Sequence, residues 1–408
     1  MRRVVVTGIG GISALGSCWA DTEARLRQGK NAIRYMPEWE VYRDLNTKLG
    51  GPVDGFEPPA HWTRKQLRSM GRVSQFAVRA AELALEEAGL IGSAELKGGA
   101  MGVACGSSIG STADIKDFAQ MLISGASERL NANSYVRMMP HTTAANVSIF
   151  FGLRGRLIST SSACTSGSQG VGFAYEAIRH GQQTLMLGGG ADELCPSEAL
   201  AFDLLYATSR RNSEPQSTPR PYDRDREGLV VGEGGCMLVL EELEHARARG
   251  AKIHAEIVGF ATNSDGTHVT RPEEETMRVV MQIALADAAL DPAAIGYVNG
   301  HGTATEHGDI AETRATSAVF GPRMPLSSQK SYLGHTMGAC GAIEAWFSIE
   351  MMNSGWFAPS LNLENVDSRC GELDYIVGAG RQLEVEYVMS NNFAFGGVNT
   401  SLIFKRWS

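Results

Sequence analysis

Hydrophobic positions along the chain fall into two kinds of segment. Short continuous or β-branched runs alternate with longer stretches that turn apolar every third or fourth residue. Residues 3–7 read as a first buried strand that runs into a tight turn at Gly8, Gly10 and Gly11. Over 72–89, Val73, Phe76, Ala77, Ala80, Ala81, Leu83 and Ala84 form one helical stripe, and Gly89 suits the C-cap. Further strands are predicted at 101–105, 156–162, 184–187, 236–241, 253–260 and 296–299. Further helices are predicted at 20–30, 165–180, 273–289, 309–319 and 338–352, and residues 387–405 alternate strand and glycine loop. Strands alternating with helices imply an α/β fold with largely parallel sheets. No linker divides the chain, and periodicity alone reveals no internal repeat.

Composition narrows the function classes. A net charge of −8 and a pI near 5.7 argue against a general nucleic-acid binder. The seven cysteines are odd in number and include no CxxC pair. A disulfide framework or a zinc ribbon is therefore not expected, and a reducing, cytoplasmic setting is the simplest. The apolar start Val4-Val5-Val6 is too short for a signal peptide. No stretch of ~18 apolar residues predicts a membrane span. Gly8-Ile9-Gly10-Gly11 lacks the third glycine and the distant acid of a dinucleotide fingerprint.

The chemistry concentrates in three places. Cys164 lies in Ser161-Ser162-Ala163-Cys164-Thr165-Ser166-Gly167, where a strand gives way to a helix. A helix start favours thiolate and presents unpaired N–H groups to an oxyanion. His301 sits in Asn299-Gly300-His301-Gly302-Thr303-Ala304-Thr305, and His335 closes Lys330-Ser331-Tyr332-Leu333-Gly334-His335. A neutral imidazole in such a loop can donate from one nitrogen while the other is held. His301, Glu306, His307 and Asp309 match no zinc-binding helix spacing. The other six cysteines read as structural.

Together these segments resemble the β-ketoacyl-acyl carrier protein synthases, the elongating condensing enzymes of types I and II. Arg220-Pro221-Tyr222-Asp223, Gly232-Glu233-Gly234 and Ser390-Asn391-Asn392-Phe393-Ala394-Phe395-Gly396-Gly397 extend the likeness over nearly the whole chain. The resemblance implies a thiolase fold, five-layered αβαβα, built from two similar halves expected near 1–250 and 251–408. It implies that Cys164 carries the acyl group and that the Cys164 and Phe395 N–H groups form an oxyanion hole. His301 and His335 would stabilise the enolate from malonyl-carrier decarboxylation, with Lys330 near His335 and Glu312 as its acidic partner. Thr303 and Thr305 would hold the pantetheine arm, and Phe202 and Ile109 would line the acyl pocket. Lys65 and Arg68 would dock acyl carrier protein. Asn299, Glu344 and Asn391 match a structural Na+ or K+ site of some members, and no other cofactor is implied. The family is usually dimeric; this chain would form a homodimer or pair with a related ketosynthase-like subunit.

Two other readings were weighed. A thiolase-like enzyme acting on coenzyme A esters would need a second cysteine near the C-terminus, but Cys370 lies outside any glycine-rich loop. A non-catalytic chain-length factor would lack the nucleophile. Within the resemblance, Ala394 replaces a glycine and Val398 a threonine in the Phe395 loop, and residues 138–146 are unlike the housekeeping enzymes. These departures point to a specialised, polyene-type pathway.

Overall fold

The computed structural model describes residues 1–408. Its centre is an eleven-stranded sheet: β1 (Val4–Ser13), β2 (Met101–Gly106), β3 (Leu157–Ser159), β4 (Leu185–Asp192), β5 (Gly234–Glu242), β6 (Ala255–Ser264), β7 (Ile295–Asn299), β8 (Pro325–Ser327), β9 (Asp374–Tyr375), β10 (Tyr387–Ala394) and β11 (Val398–Arg406). The spatial order is β9-β8-β7-β10-β11-β6-β1-β5-β4-β2-β3. The last five strands, read inward from the β3 edge, are the third, second, fourth, fifth and first of their half. The strands β8-β7-β10-β11-β6 repeat that order in theirs, with β9 added outside. One topology therefore occurs twice. The two copies meet where Val4–Val6 pairs antiparallel with Ala255–Ile257.

Helices supply the remaining layers. We label α1 (Arg72–Glu87), α2 (Ser166–Arg179), α3 (Pro196–Asp203), α4 (Glu274–Ala288), α5 (Glu306–Phe320) and α6 (Cys340–Ser354). On one outer side α1 packs on β1, β4 and β5; on the other, α4 packs on β6, β11 and α5. Between them α2 and α6 pack on each other and on strands of both halves. This is the αβαβα layering of the thiolase fold. The middle layer is largely apolar: Val171, Ala174, Ile343, Trp346 and Phe347 lie in the largest core cluster.

The predicted turn at Gly8–Gly11 is absent, because β1 continues unbroken to Ser13. These glycines serve close packing instead. A Cβ on Gly8 or Gly10 would stand 2.2 or 2.0 Å from the carbonyl oxygens of Ala84 and Ala80 on α1. Likewise β4 runs on through Gly188, Gly189 and Gly190 to Asp192 rather than ending at them. The helices that escaped prediction include Thr112–Ser124, Ala132–Met138, Thr142–Phe151, α3 and the short Leu243–Ala248.

Candidate active site

Cys164 occupies a 3₁₀ turn, Ala163–Thr165, that leads directly into α2. Ala163 holds φ at +53°, a left-handed conformation that an alanine adopts only when its surroundings enforce it. The enforcing contacts are local: Ser166 Oγ donates to Ala163 O and receives the Ser162 N–H. The turn brings the Cys164 sulfur to 2.9 Å from His335 Nε2, and the residue is 4% exposed.

Burial raises the Cys164 thiol to about 12, against the Lys330 charge and the N–H groups of Phe395 and Cys164, which pull it down. The thiolate expected from the helix start is therefore not the resting form, since desolvation outweighs the favourable fields. The Phe395 and Cys164 N–H groups do face the sulfur, which puts two backbone donors where an acyl oxygen would develop charge.

The two histidines are oriented by what touches Nδ1. His335 Nδ1 accepts the Met337 N–H at 3.3 Å. His301 Nδ1 faces Lys330 Nζ at 3.1 Å and Asn392 Nδ2 at 3.3 Å, and both of these are donors. Each Nδ1 must then carry the lone pair, which leaves the proton on Nε2. Burial, followed by the Lys330 charge, holds both imidazoles well below their usual range, so both are neutral. The rings stand edge to face with centroids 5.1 Å apart. They form a pair of N–H donors rather than a pair of bases.

The same hydrogen bonds argue against a metal. Ligand atoms of Cys164, His301 and His335 lie within 4.8 Å of one another. A metal at Nε2 would need Nδ1–H, and each Nδ1 already faces only donors.

Lys330 lies near His335, as expected, close enough for its charge to act on that ring, but it bonds directly to His301, and its ion-pair partner is Glu344 rather than Glu312. Glu344 also accepts the Asn392 amide at 2.7 Å. Both members of the Lys330–Glu344 pair are about 2% exposed. Glu312 instead accepts the N–H groups of His301 at 2.5 Å and Gly302 at 2.7 Å, fixing the histidine loop. Burial raises its carboxyl to about 8.

Of Asn299, Glu344 and Asn391, the first two side chains meet, whereas Asn391 turns away. Successive residues of β10 face opposite ways: Asn392 points to Glu344, whereas Asn391 accepts from Ser401 Oγ and reaches Met281. Glu344 is already engaged by Lys330 and Asn392. Asn299 Oδ1 is the one oxygen of the set that is buried without a partner, too little to fit a cation held by these three side chains.

A cavity of about 460 Å³ opens above Cys164 and includes Phe202, Thr303, Thr305 and Phe395 in its wall. The Thr303 and Thr305 hydroxyls are 2.9 Å apart. Phe202 meets Phe395 at 4.9 Å between ring centroids. Ile109, half-buried, lies outside this wall. Phe395 sits in the turn between β10 and β11. There the left-handed positions are Gly396 and Gly397, at φ +85° and +70°, whereas Ala394 pairs with Val398 as an ordinary strand residue. The Gly396 N–H donates to Val269 O, and the Asp265 N–H donates to Gly397 O, both at 2.8 Å. Lys65 and Arg68 are exposed. Arg68 borders a second hollow with Arg64, Leu67 and Arg137.

Asn392 and Cys340 were not anticipated by the sequence reading. Cys340 Sγ donates to the Cys164 carbonyl at 3.2 Å. Asp192 was also missed. It lies beneath the site and accepts the Ser108 and Gly338 N–H groups at 3.0 and 2.6 Å. Its position just past three glycines of a buried strand was the available signal.

Known proteins share this arrangement. Residues 1–246 match the model of the β-ketoacyl synthase N-terminal domain, and 254–364 that of its C-terminal domain. The chain is 38% identical to 3-oxoacyl-[acyl-carrier-protein] synthase 2 of Vibrio cholerae, over 99% of both chains. A β-ketoacyl synthase structure from Burkholderia phymatum superposes with a TM-score of 0.99 at 60% identity, covering both chains completely. The ishigamide ketosynthase/chain length factor gives 0.92 at 31%, again over both chains. With the cysteine turn, the paired histidine donors and the repeated strand order all in place, the chain belongs to the β-ketoacyl synthase family.

Proposed function

We propose that this enzyme condenses malonyl-acyl carrier protein with an acyl group held on Cys164, yielding 3-oxoacyl-acyl carrier protein. One observation carries the reading. The Cys164 sulfur, two imidazole Nε2–H donors and two backbone N–H donors meet at the wall of one cavity of about 460 Å³.

The Cys164 sulfur attacks the acyl thioester and its proton passes to the departing carrier sulfur, so the carrier leaves as its thiol and the acyl group stays on Cys164. The malonyl thioester then loses carbon dioxide. His301 and His335 donate to the enolate oxygen formed, a role for neutral rings with Nε2–H. The enolate carbon attacks the acyl carbonyl, whose oxyanion lies against the Cys164 and Phe395 N–H groups. Collapse of that adduct expels the Cys164 sulfur and releases the product. Holding both partners in one cavity makes the carbon–carbon step effectively intramolecular. No step draws on a redox cofactor or a metal.

The carrier protein is read as docking at Arg64, Lys65 and Arg68, with Thr303 and Thr305 meeting the pantetheine arm. Edge strand β3 supports a subunit partner. It exposes Leu157, and nearby helices expose Leu122, Ile123, Tyr135 and Ile149, a combination that invites edge pairing. The partner is a second copy or a chain-length-factor-like subunit. A reducing, cytoplasmic setting follows from the cysteine pattern, and no helix is long and apolar enough to cross a membrane. Residues 138–146 support a specialised, polyene-type pathway; Ala394, an ordinary strand residue, adds nothing to that reading.

The test is purified enzyme with acyl- and malonyl-carrier protein, followed by intact-protein mass spectrometry. The acyl mass is expected on wild type and absent from Cys164→Ala, which should still decarboxylate malonyl-carrier protein. Acylation mapped to another residue overturns the assignment.

A further inference from the structure

Glu198 is 5% exposed, and neither carboxyl oxygen makes a well-formed hydrogen bond, with only the Cys195 N–H turned toward it. A buried group left in that state is costly, so it marks a place where something else completes the bonding. Nearby acids have their partners. Asp192 is satisfied by Ser107, Ser108 and Gly338, and Glu193 by Thr112.

The position of Glu198 is informative. It stands one helical turn before Phe202 on α3, so both residues face the same side of the helix. Phe202 is in the wall of the Cys164 cavity and stacks near His335 at 6.4 Å between ring centroids. Glu198 is not in that wall but lies one helical turn along α3 from a residue that is. Asp192, whose charge reaches Cys164, also reaches Glu198. Glu198 thus lies on the Phe202 face of the helix, in the neighbourhood of the nucleophile. Burial, reinforced by Asp192, Cys195 and Glu193, raises its carboxyl well above the usual range, so it keeps its proton and can donate as well as accept.

We propose that Glu198 is a specificity-determining residue that hydrogen-bonds an oxygen substituent, a hydroxyl or keto group, on the acyl chain held by Cys164. This rests on the acyl-enzyme reading above. In an apolar channel a plain hydrocarbon chain leaves Glu198 unpaired, whereas an oxygen-bearing chain satisfies it. A site built to bond a substrate oxygen rejects the analogue that lacks it far more strongly than a hydrophobic pocket discriminates by size.

The experiment compares acyl-carrier substrates of one chain length carrying a hydroxyl, a keto group or no oxygen. The oxygen-bearing groups are placed at successive carbons, and Cys164 acylation is read by mass. Wild type is expected to favour at least one oxygen-bearing chain over the plain one by roughly tenfold or more. Glu198→Leu should abolish that preference, and Glu198→Gln should keep most of it. The hydroxyl and keto arms show whether the carboxyl donates or accepts. A wild type that prefers the plain chain overturns the proposal, as does a preference unchanged in Glu198→Leu. If no substrate acylates Cys164 at all, the proposed function fails first, and that result is separable from a mere loss of preference.

Discussion

Replacing Lys330 by methionine separates two roles that the structure gives to one ammonium group. Lys330 neutralises Glu344 and holds the lone pair of His301 on Nδ1. Removing it leaves a carboxylate about 2% exposed without its counter-charge. Breaking one side of a buried ion pair costs about 3–5 kcal/mol. At about 2.1 cal/mol/K of unfolding entropy per residue, and with 408 residues, a loss of about 4 kcal/mol lowers Tm by about 5 °C. Replacing Glu344 by glutamine in the same chain should restore most of that loss, because no buried charge is then left alone. Activity should not return with it. His301 keeps only the Asn392 amide on Nδ1, and the proton is freer to leave Nε2. The enolate then loses one oriented donor, worth about 10²–10³ in rate. Differential scanning calorimetry measures the first quantity, and carbon dioxide release from malonyl-carrier protein the second. If the double variant recovers decarboxylation together with Tm, Lys330 serves Glu344 alone and the tautomer argument is wrong.

Three further outcomes are expected. Glu312 has its folded-state value, about 8, above the usual carboxylate range. Its contribution to stability is therefore complete at low pH and is lost as pH rises through about 8. Denaturant titrations should show Glu312→Gln gaining on wild type between about pH 5 and pH 8, by up to a few kcal/mol; a gap independent of pH would refute the assignment. Zinc titration by calorimetry should find no tight site at Cys164, because both imidazoles present Nε2–H, and stoichiometric binding that blocks acylation would overturn that reading. Finally, Lys65→Glu with Arg68→Glu should weaken carrier-protein binding and flatten its salt dependence, read as a rise in KM for the carrier substrate. An unchanged KM would place the dock elsewhere.

What was legible in the sequence depended on whether its signal was local. The long helices α1, α2, α4 and α6 followed from stripes of small and apolar residues, and their ends agree with the prediction within a few positions. The helices between 112 and 151 did not, because much of their surface is exposed and apolar, which blurs a 3.6-residue period. Glycines misled where they allow a helix to lie against a strand rather than turn the chain, as at Gly8 and Gly10. Cys164, His301 and His335 were visible because each sits in a glycine- or serine-rich loop at the end of a regular element. Their partners were harder to see. Glu344 belongs to a buried helix and Asn392 to a buried strand, and only the packing of that helix on the strand within the second half brings them to Lys330. Alternation along β10 separates Asn392 from Asn391, a choice of face that the motif alone leaves open.

The repeated strand order has a consequence for the field at the reacting centre. Each half places a 3₁₀ turn and then a long helix at the same point of its topology: Ala163–Thr165 before α2 and Met337–Ala339 before α6. Both turns begin with a left-handed residue, Ala163 at φ +53° and Met337 at +50°. A pseudo-twofold axis thus passes between them, and the positive poles of both macrodipoles, each worth about half an elementary charge, converge on one spot. One copy of the turn carries the sulfur. The other spends its N–H on the ring that faces that sulfur. Duplication has brought two helix starts to one centre, where the imidazole donors add to what the backbone supplies.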